Sequence, residues 1–201
     1  MSISLCTIVK DEENNLEEFL NHHKDLVDEI IIVDTGSVDK TKVIAKTFAK
    51  VFDFPWTDDF SVVRNFSISN ATKDWILWLD ADEMINKKDF HKIRELTKQI
   101  NPGYSFIQKT FTQNINHPRF EEGYYKRRIC KLFRKGPKFQ YPIHETVAHA
   151  IKVKETNIVI KHYPVESKEK SQYYLKLLEK KKKLFPDSNA DKEILTERTF
   201  L

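Results

Sequence analysis

Four short apolar runs punctuate the first 80 residues, and the stretches between them have helical spacing. The runs are 3–9 (ISLCTIV), 29–33 (EIIIV), 50–54 (KVFDF) and 75–79 (WILWL). Each is too short for a buried helix and is rich enough in β-branched or aromatic residues for a strand. Between the first two, Leu16, Phe19, Leu20 and His23 place 12–24 on a helix with an acidic first turn, which the helix dipole favours. Val43–Thr47 and Ile44–Phe48 recur at i,i+4 in a second helix that runs to about residue 49, with Ser37 as its cap. Residues 61–70 read as a third. The order βαβαβαβ calls for a parallel sheet with helices on its faces. In such sheets ligands bind beyond the carboxyl ends of the strands. Lys10-Asp11, Asp34-Thr35 and Asp80-Ala81-Asp82 each stand just after a strand's last apolar residue, so three strand ends aim carboxylates at one crevice.

The pattern loosens further on. Residues 88–100 read as a helix and 104–112, 124–134 and 156–163 as strands. In the middle strand, alternation puts Ile129, Lys131 and Phe133 on one face and Cys130 and Leu132 on the other. Residues 168–185 form a lysine-rich helix whose apolar stripe is Tyr174, Leu177, Leu178 and Phe185. No internal repeat or linker is visible. The chain divides into an α/β domain, 1–165, and a basic helical extension, 166–201, packed on it.

Composition narrows the class. Of 201 residues 40% are hydrophobic, enough for a core, and four glycines with seven prolines exclude a low-complexity chain. Cys6 and Cys130 stand alone and far apart, which suits a reducing compartment rather than a disulfide framework. No signal peptide or membrane-spanning run is visible, so the expected location is cytoplasmic. The net charge of +4 hides an acidic segment, 11–39, and basic ones, 126–138 and 168–183. Peripheral contact of the basic helix with an anionic membrane and a solvated lysine-rich surface both fit; nucleic acid is not expected as a partner.

Two carboxylates on alternate positions repel unless a cation or protons compensate. A hard divalent metal is the natural compensation for Asp80 and Asp82, since Mg2+ or Mn2+ takes one or two carboxylates and fills its shell with water and phosphate oxygens. A calcium loop is excluded by Met84 and Ile85, where oxygen ligands and a glycine should stand. Phosphatases of the aspartyl-phosphate type carry their aspartates on the first strand, not the fourth. The tetrapeptide Asp34-Thr35-Gly36-Ser37 matches the aspartic protease signature, but it leads into a helix and has no second copy. Asp34 is placed instead to accept hydrogen bonds from a nucleobase or ribose.

The stretches CTIVKDEENNLEEFL, DEIIIVDTGSVDKT, VFDFPWTDDFSVVRNFSI and DWILWLDADE, with RICKLFRKGPKFQYPIHETV and IVIKHYP later, resemble the family 2 glycosyltransferases of the GT-A fold. The subgroup is the one containing lipopolysaccharide-core and tetratricopeptide-linked bacterial enzymes. The resemblance spans roughly residues 3–186. It implies a Rossmann-like, mostly parallel central sheet flanked by helices, with a C-terminal helix. It implies an inverting, metal-dependent transfer from a nucleotide sugar, with a UDP-sugar favoured, to a glycan, lipid-linked or protein acceptor. Thr7, Val9, Asp11 and Asp34 would line the nucleoside pocket, while Arg64 and Asn65 would approach the nucleotide or its diphosphate. Asp80, Ala81 and Asp82 would meet the diphosphate and an Mn2+ or Mg2+ ion, with Asp82 favoured as the direct ligand and His144 as the downstream one.

A displacement at the anomeric carbon needs a carboxylate to take the acceptor's proton, and Glu145 is favoured over Glu83. Arg127, Arg128, Lys131 and Arg134 offer cations for a diphosphate or an anionic acceptor. Two alternatives stay open, a sugar nucleotidyltransferase and a catalytically silent nucleotide-sugar or polyanion-binding module. The first lacks a glycine-rich basic loop after strand one; the second is at odds with an intact Asp80, Asp82, His144 and Glu145 set. The sequence departs from the family where relatives often have Gly shortly before Ile-His-Glu, because Tyr141-Pro142 stands there.

Overall fold

The apolar runs become strands of one sheet in the computed structural model, which describes residues 1–112, 120–121, 123–147, 151–165 and 167–197. Strands β1 (Ile3–Val9), β2 (Glu29–Asp34), β3 (Lys50–Asp53) and β4 (Trp75–Trp78) are all parallel, in the order β3-β2-β1-β4. Their registers align Val9 with Asp34 and Cys6 with Trp78, so the segments beyond Val9, Asp34 and Trp78 emerge along one edge. Helices α1 (Leu16–His23), α2 (Thr41–Lys46) and α3 (Phe60–Asn70) follow the first three strands as expected.

The sheet continues past β4 with β8, β6, β11 and β5. Here β5 is Glu83–Ile85, β6 is Gly103–Phe111, β7 is Phe120–Glu121, β8 is Tyr124–Arg134 and β11 is Val153–His162. Because β8 is antiparallel to both β4 and β6, and β6 is parallel to β11, the carboxyl ends of β4, β6 and β11 share the edge set by β1 and β2. Strand β5 returns antiparallel on β11 and closes that side. A 3-10 turn, Lys87–Asp89, leads into α4 (Phe90–Thr97), and a small hairpin pairs β9 (Phe139–Gln140) with β10 (Thr146–Val147). Two apolar layers cover the sheet. One gathers Leu5, Phe19, Leu20, Trp75, Leu77 and Phe106; the other gathers Cys6, Ile31, Val63, Ile76 and Phe133.

Three expectations are corrected. The first helix begins at Leu16, not at 12, because the amides of Glu12 and Glu13 are bonded to Thr41 Oγ1 (2.7 Å) and Asp39 Oδ2 (3.1 Å) of the neighbouring loop. Ser37 does not cap α2; its hydroxyl accepts from the Asp11 N–H at 2.8 Å, and Asp39 Oδ1 takes the Thr41 N–H instead. Simple alternation also fails in β8. Opposite Tyr104 and Ser105 stand Leu132 and Cys130, so Lys131 is the extra residue of a β-bulge, and Ile129 and Cys130 pack in the same apolar layer.

The lysine-rich segment forms α5 (Lys168–Leu184), capped by Ser167, and is followed by α6 (Ala190–Glu197). Leu177, Leu178 and Ile194 bury against Ile143, with Trp56 and Phe60 beside them. Part of the expected basic face is used internally: Lys180 donates to the Asp58 carbonyl, Lys181 binds Glu193 and Lys182 binds Asp191. Among the described residues no helix is long and apolar enough to cross a membrane.

Candidate functional site

At the shared edge the chain must satisfy polar groups that the sheet no longer pairs. Asp34 does so on one side only. Its Oδ1 accepts from the N–H groups of Gly36 and Ser37, both at 3.0 Å, in a turn where Gly36 takes a φ of +110° that a side chain would resist. Its Oδ2 is buried and has no partner. Asp11, itself at φ +54°, accepts from Val38 N–H at 2.8 Å and so ties the β1 loop to the β2 loop. Thr7 Oγ1 is buried without a partner, one strand position pair before Val9.

Beyond β4 the carboxylates of the Asp80-Ala81-Asp82 turn diverge. Asp80 Oδ1 accepts from Arg64 Nη2 at 2.8 Å, and its backbone N–H donates to Glu83 Oε2 at 3.0 Å. Asp82 Oδ2 lies 3.4 Å from His162 Nε2, while Asp82 Oδ1 is buried and unpartnered. His162 is held in place by Thr110 Oγ1, 3.0 Å from its Nδ1, and Tyr163 N–H donates to the Asp82 carbonyl at 3.0 Å.

Arg64 is the hinge of the site. It is buried on α3, whose first turn is capped by Asp59, and its guanidinium lies 4.2 Å over the Trp78 ring. Nη2 reaches Asp80 and Nε reaches Glu145 Oε1, so one planar fork joins two carboxylates from distant parts of the chain. Burial alone would lower its pKa, but the charges of Asp80 and Glu145 outweigh burial and hold it up. The converse holds at Asp80: burial works against its charge, and Arg64 with Lys131 overrides it, keeping the carboxyl well below the usual range. Burial, then the charges of Asp82 and Asp80, push Glu12 the other way despite its bond from Asn15. Burial, then Asp80, Glu145 and Asp82, also raise the hydroxyl of Tyr174, so α5 presents this ring near the same carboxylates.

Glu83 is fully buried. It accepts from Lys131 Nζ at 2.9 and 2.6 Å, from Gln108 Nε2 and from the Asp80 N–H. The bulge in β8 aims Lys131 inward, where its ammonium also sits 3.5 Å over the Trp78 ring. Every Glu83 oxygen is thus committed to holding the turn. Asn65 is committed too: its amide donates to the Phe139 carbonyl (3.0 Å) and accepts from the Phe139 N–H (2.8 Å), pinning β9 to α3. His144 faces Glu193 of α6, with Nδ1 3.5 Å from Oε2; the imidazole beside Asp82 is His162. Val9 and Ala81 are buried and supply backbone at the edge. Arg127 donates to Gln108 and Arg128 to the Thr156 carbonyl.

Comparison with known proteins sharpens the reading. The sequence pattern of Glycosyl transferase family 2 matches residues 4–151, which carry Thr7, Asp34, Arg64, Asp80, Asp82 and Glu145. The chain belongs to glycosyl transferase family 2. Over 148 residues it is 40% identical to a TPR repeat-containing protein of Synechococcus elongatus, covering 72% of this chain and 35% of that one. Over 107 residues it is 35% identical to the SPbeta prophage-derived glycosyltransferase SunS of Bacillus subtilis, covering 49% of this chain and 24% of SunS. The chain therefore spans about a third and a quarter of the lengths of these two relatives. Two solved structures share the fold. S. aureus TarS in complex with UDP-GlcNAc superposes with a TM-score of 0.59 at 14% identity, covering 89% of this chain and 66% of TarS. A mannosyltransferase from Pyrobaculum calidifontis in complex with GDP-Man and Mn2+ superposes with 0.58 at 13% identity, covering 99% and 69%. The GT-A-like sheet expected of this family 2 chain is the sheet observed.

The donor set at Asp82 fits a divalent ion. One oxygen is buried with no partner, and an imidazole nitrogen stands 3.4 Å from the other. Carboxylate oxygen with imidazole suits Mn2+ and its neighbours. Among the described residues no group of three His, Cys, Asp or Glu side chains is assembled to hold a metal alone, so a bound ion would need ligands from elsewhere.

Sequence reasoning missed His162, Glu12 and Tyr174. His162 lay within IVIKHYP, and its place became visible only through the pairing of β11 with β5, which sets His162 opposite Glu83. Glu12 and Tyr174 carried no spacing signal that separates them from surface and core residues.

Proposed function

We propose that this chain carries an inverting, metal-dependent glycosyltransferase site that uses a nucleotide sugar, UDP-linked, and delivers the sugar to a hydroxyl of a glycan, lipid-linked or protein acceptor. One observation carries the reading. Thr7 Oγ1, Asp34 Oδ2 and Asp82 Oδ1 are buried, lack partners and sit at the carboxyl edge of three adjacent parallel strands. A buried polar atom without a hydrogen bond costs about 1–3 kcal/mol, and three at the same end of the sheet make sense when a polar ligand satisfies them. The binding of UDP-GlcNAc by TarS and of GDP-Man with Mn2+ by the archaeal enzyme supports a nucleotide sugar as that ligand.

In this reading Asp34 and Thr7 receive the nucleoside, with Val9 and Asp11 shaping the pocket. Asp82 and His162 would hold the metal, which would supply charge to offset that of a leaving diphosphate. Asp80 is not free to swing, because Arg64 and the Glu83-bonded backbone fix it. Glu83 holds geometry and is not the base in this reading, since Lys131, Gln108 and Asp80 occupy its oxygens. Glu145 remains the carboxylate on the acceptor side. Arg64 orients it through Oε1, and its proton uptake would complete the displacement at the anomeric carbon.

Thermal unfolding tests the reading. UDP at 100 times its dissociation constant, with Mn2+ present, stabilises by about 2.7 kcal/mol, or roughly 5–10 °C in a chain of this size. No shift with UDP or any other nucleoside diphosphate in Mn2+ would overturn it.

A further inference from the structure

The turn that delivers Glu145 is held in a conformation its own residues resist. Tyr141 has a φ of +78° and His144 a φ of +49°, the left-handed region that glycine accepts and side chains avoid. Neither residue is glycine, so the conformation must be enforced from outside.

The enforcing contacts come from the last two helices. Lys181 of α5, only 3% exposed, places Nζ 4.7 Å over the Tyr141 ring and donates to Glu193 Oε2 of α6 at 2.7 Å. The same Glu193 oxygen lies 3.5 Å from His144 Nδ1. Phe185 meets the Tyr141 ring edge-on at 5.0 Å, and Ile143 is buried among Leu177, Leu178 and Ile194. On the other side, Phe60 N–H of α3 takes the Pro142 carbonyl at 2.9 Å. Each residue from 141 to 144 is gripped, and the next, Glu145, meets Arg64 and through it Asp80.

We infer that Glu193 and Lys181 are positioning residues: their ion pair sets the left-handed turn that presents Glu145 to Arg64. The C-terminal helices are thus part of the working site although they contribute no ligand to the donor pocket, which lies on β1 and β2. The inference rests on the glycosyltransferase reading for its consequence in turnover, but not for the geometry it asserts.

The test replaces the pair without stranding a buried charge, as Lys181→Met with Glu193→Leu. The control is Lys182→Met with Asp191→Leu, which removes an exposed pair (2.6 Å) between the same two helices that does not touch the turn. Hydrogen exchange over residues 141–147 should accelerate about tenfold or more in the first variant and stay at the wild-type rate in the control, with β1–β4 protected in both. UDP-GlcNAc and UDP-glucose hydrolysis with Mn2+ should show kcat lowered tenfold or more in the first variant, since small misplacements of a reacting group cost about 10²-fold, while KM for the donor and UDP affinity stay within about twofold. Unchanged exchange over 141–147 overturns the inference. So does an equal response in the control, which would mean only that the helix pair was loosened. Equal losses in kcat and UDP affinity overturn it as well. If the wild-type chain neither binds UDP nor turns over either donor, the glycosyltransferase reading is what fails, and the exchange experiment still decides the positioning role.

Discussion

Replacing Lys131 with methionine removes one charge and little volume from the support beneath Asp80. The Lys131 and Glu83 side chains are 1% and 0% exposed, so neither water nor salt can stand in for the missing ammonium. Breaking such a buried pair by removing one partner costs about 3–5 kcal/mol, because the remaining charge is left uncompensated. Folded domains are stable by about 5–15 kcal/mol in total, so urea unfolding followed by tryptophan fluorescence should show a large fall in midpoint at unchanged slope. The double variant Lys131→Met with Glu83→Gln should recover most of the loss. It should remain about 1–2 kcal/mol below wild type, since the ammonium over the Trp78 ring is still missing. The glutamine keeps one acceptor oxygen, which serves Gln108 Nε2, while its amide group faces the Asp80 N–H, and that lost bond is part of the residual deficit. A single variant that loses less than about 1 kcal/mol, or a double variant no more stable than the single, would refute the claim that this pair sustains the site.

Other perturbations separate support from chemistry. Asp82→Ala should hold or raise the ligand-free melting temperature, because it removes a buried oxygen that has no partner, yet abolish Mn2+-dependent stabilisation by UDP in the same scan. Arg64→Lys keeps the charge but cannot reach Asp80 and Glu145 together; turnover should fall about 10–100-fold with donor KM nearly constant, checked by steady-state kinetics. Stability should also depend on pH through His23, whose pKa burial, with help from His22 and Lys87, lowers to about 4 from 6.5. The unfolded chain then takes up the proton first as pH falls, so the contribution is whole above pH 6.5 and is lost by about pH 4, a loss of about 3 kcal/mol. Urea midpoints measured from pH 7 to 4 should drop accordingly, and His23→Leu should flatten that part of the profile.

How far the sequence spoke for itself depended on the range of the interaction. Strands β1 to β4 and the helices between them were legible because periodicity is local and each apolar run ended in polar residues. Asp34 and Asp82 were legible as strand-end carboxylates for the same reason, since each stands just after the last apolar residue of its run, and each keeps one buried oxygen without a partner. What stayed hidden required partners far away in the chain. Lys131 read as one of several surface cations in a basic strand, and only the bulge opposite Tyr104 and Ser105 turns it inward. Strand β5 is three residues long and begins with a glutamate, so nothing local marks it as buried sheet; its place depends on pairing with β11. His162 follows from that same pairing. His144, set beside Glu145 in the family wording, faces Glu193 of α6, a helix inside the expected 166–201 extension whose own bounds the sequence did not mark.

The charge balance of the site explains why these hidden partners are needed. Asp80, Asp82, Glu83 and Glu145 converge at one end of the sheet, Glu83 and Glu145 with buried side chains and the two aspartates half-buried, and carboxylates so placed repel unless cations intervene. Arg64 answers Asp80 and Glu145, and Lys131 answers Glu83. Each of these cations is buried and stacked on the same Trp78 ring, so the apolar end of β4 that carries the aspartates out of the sheet also seats the charges that restrain them. Asp82 is left with an imidazole on one side and nothing on the other. A further fixed lysine or arginine at that point would complete the balance and close the crevice. Among the described residues no lysine or arginine is paired with Asp82, and in the proposed reading its compensation would arrive with the substrate as a divalent ion. The fixed cations thus answer the carboxylates that hold the turn, and Asp82 is the one they leave without a cation partner.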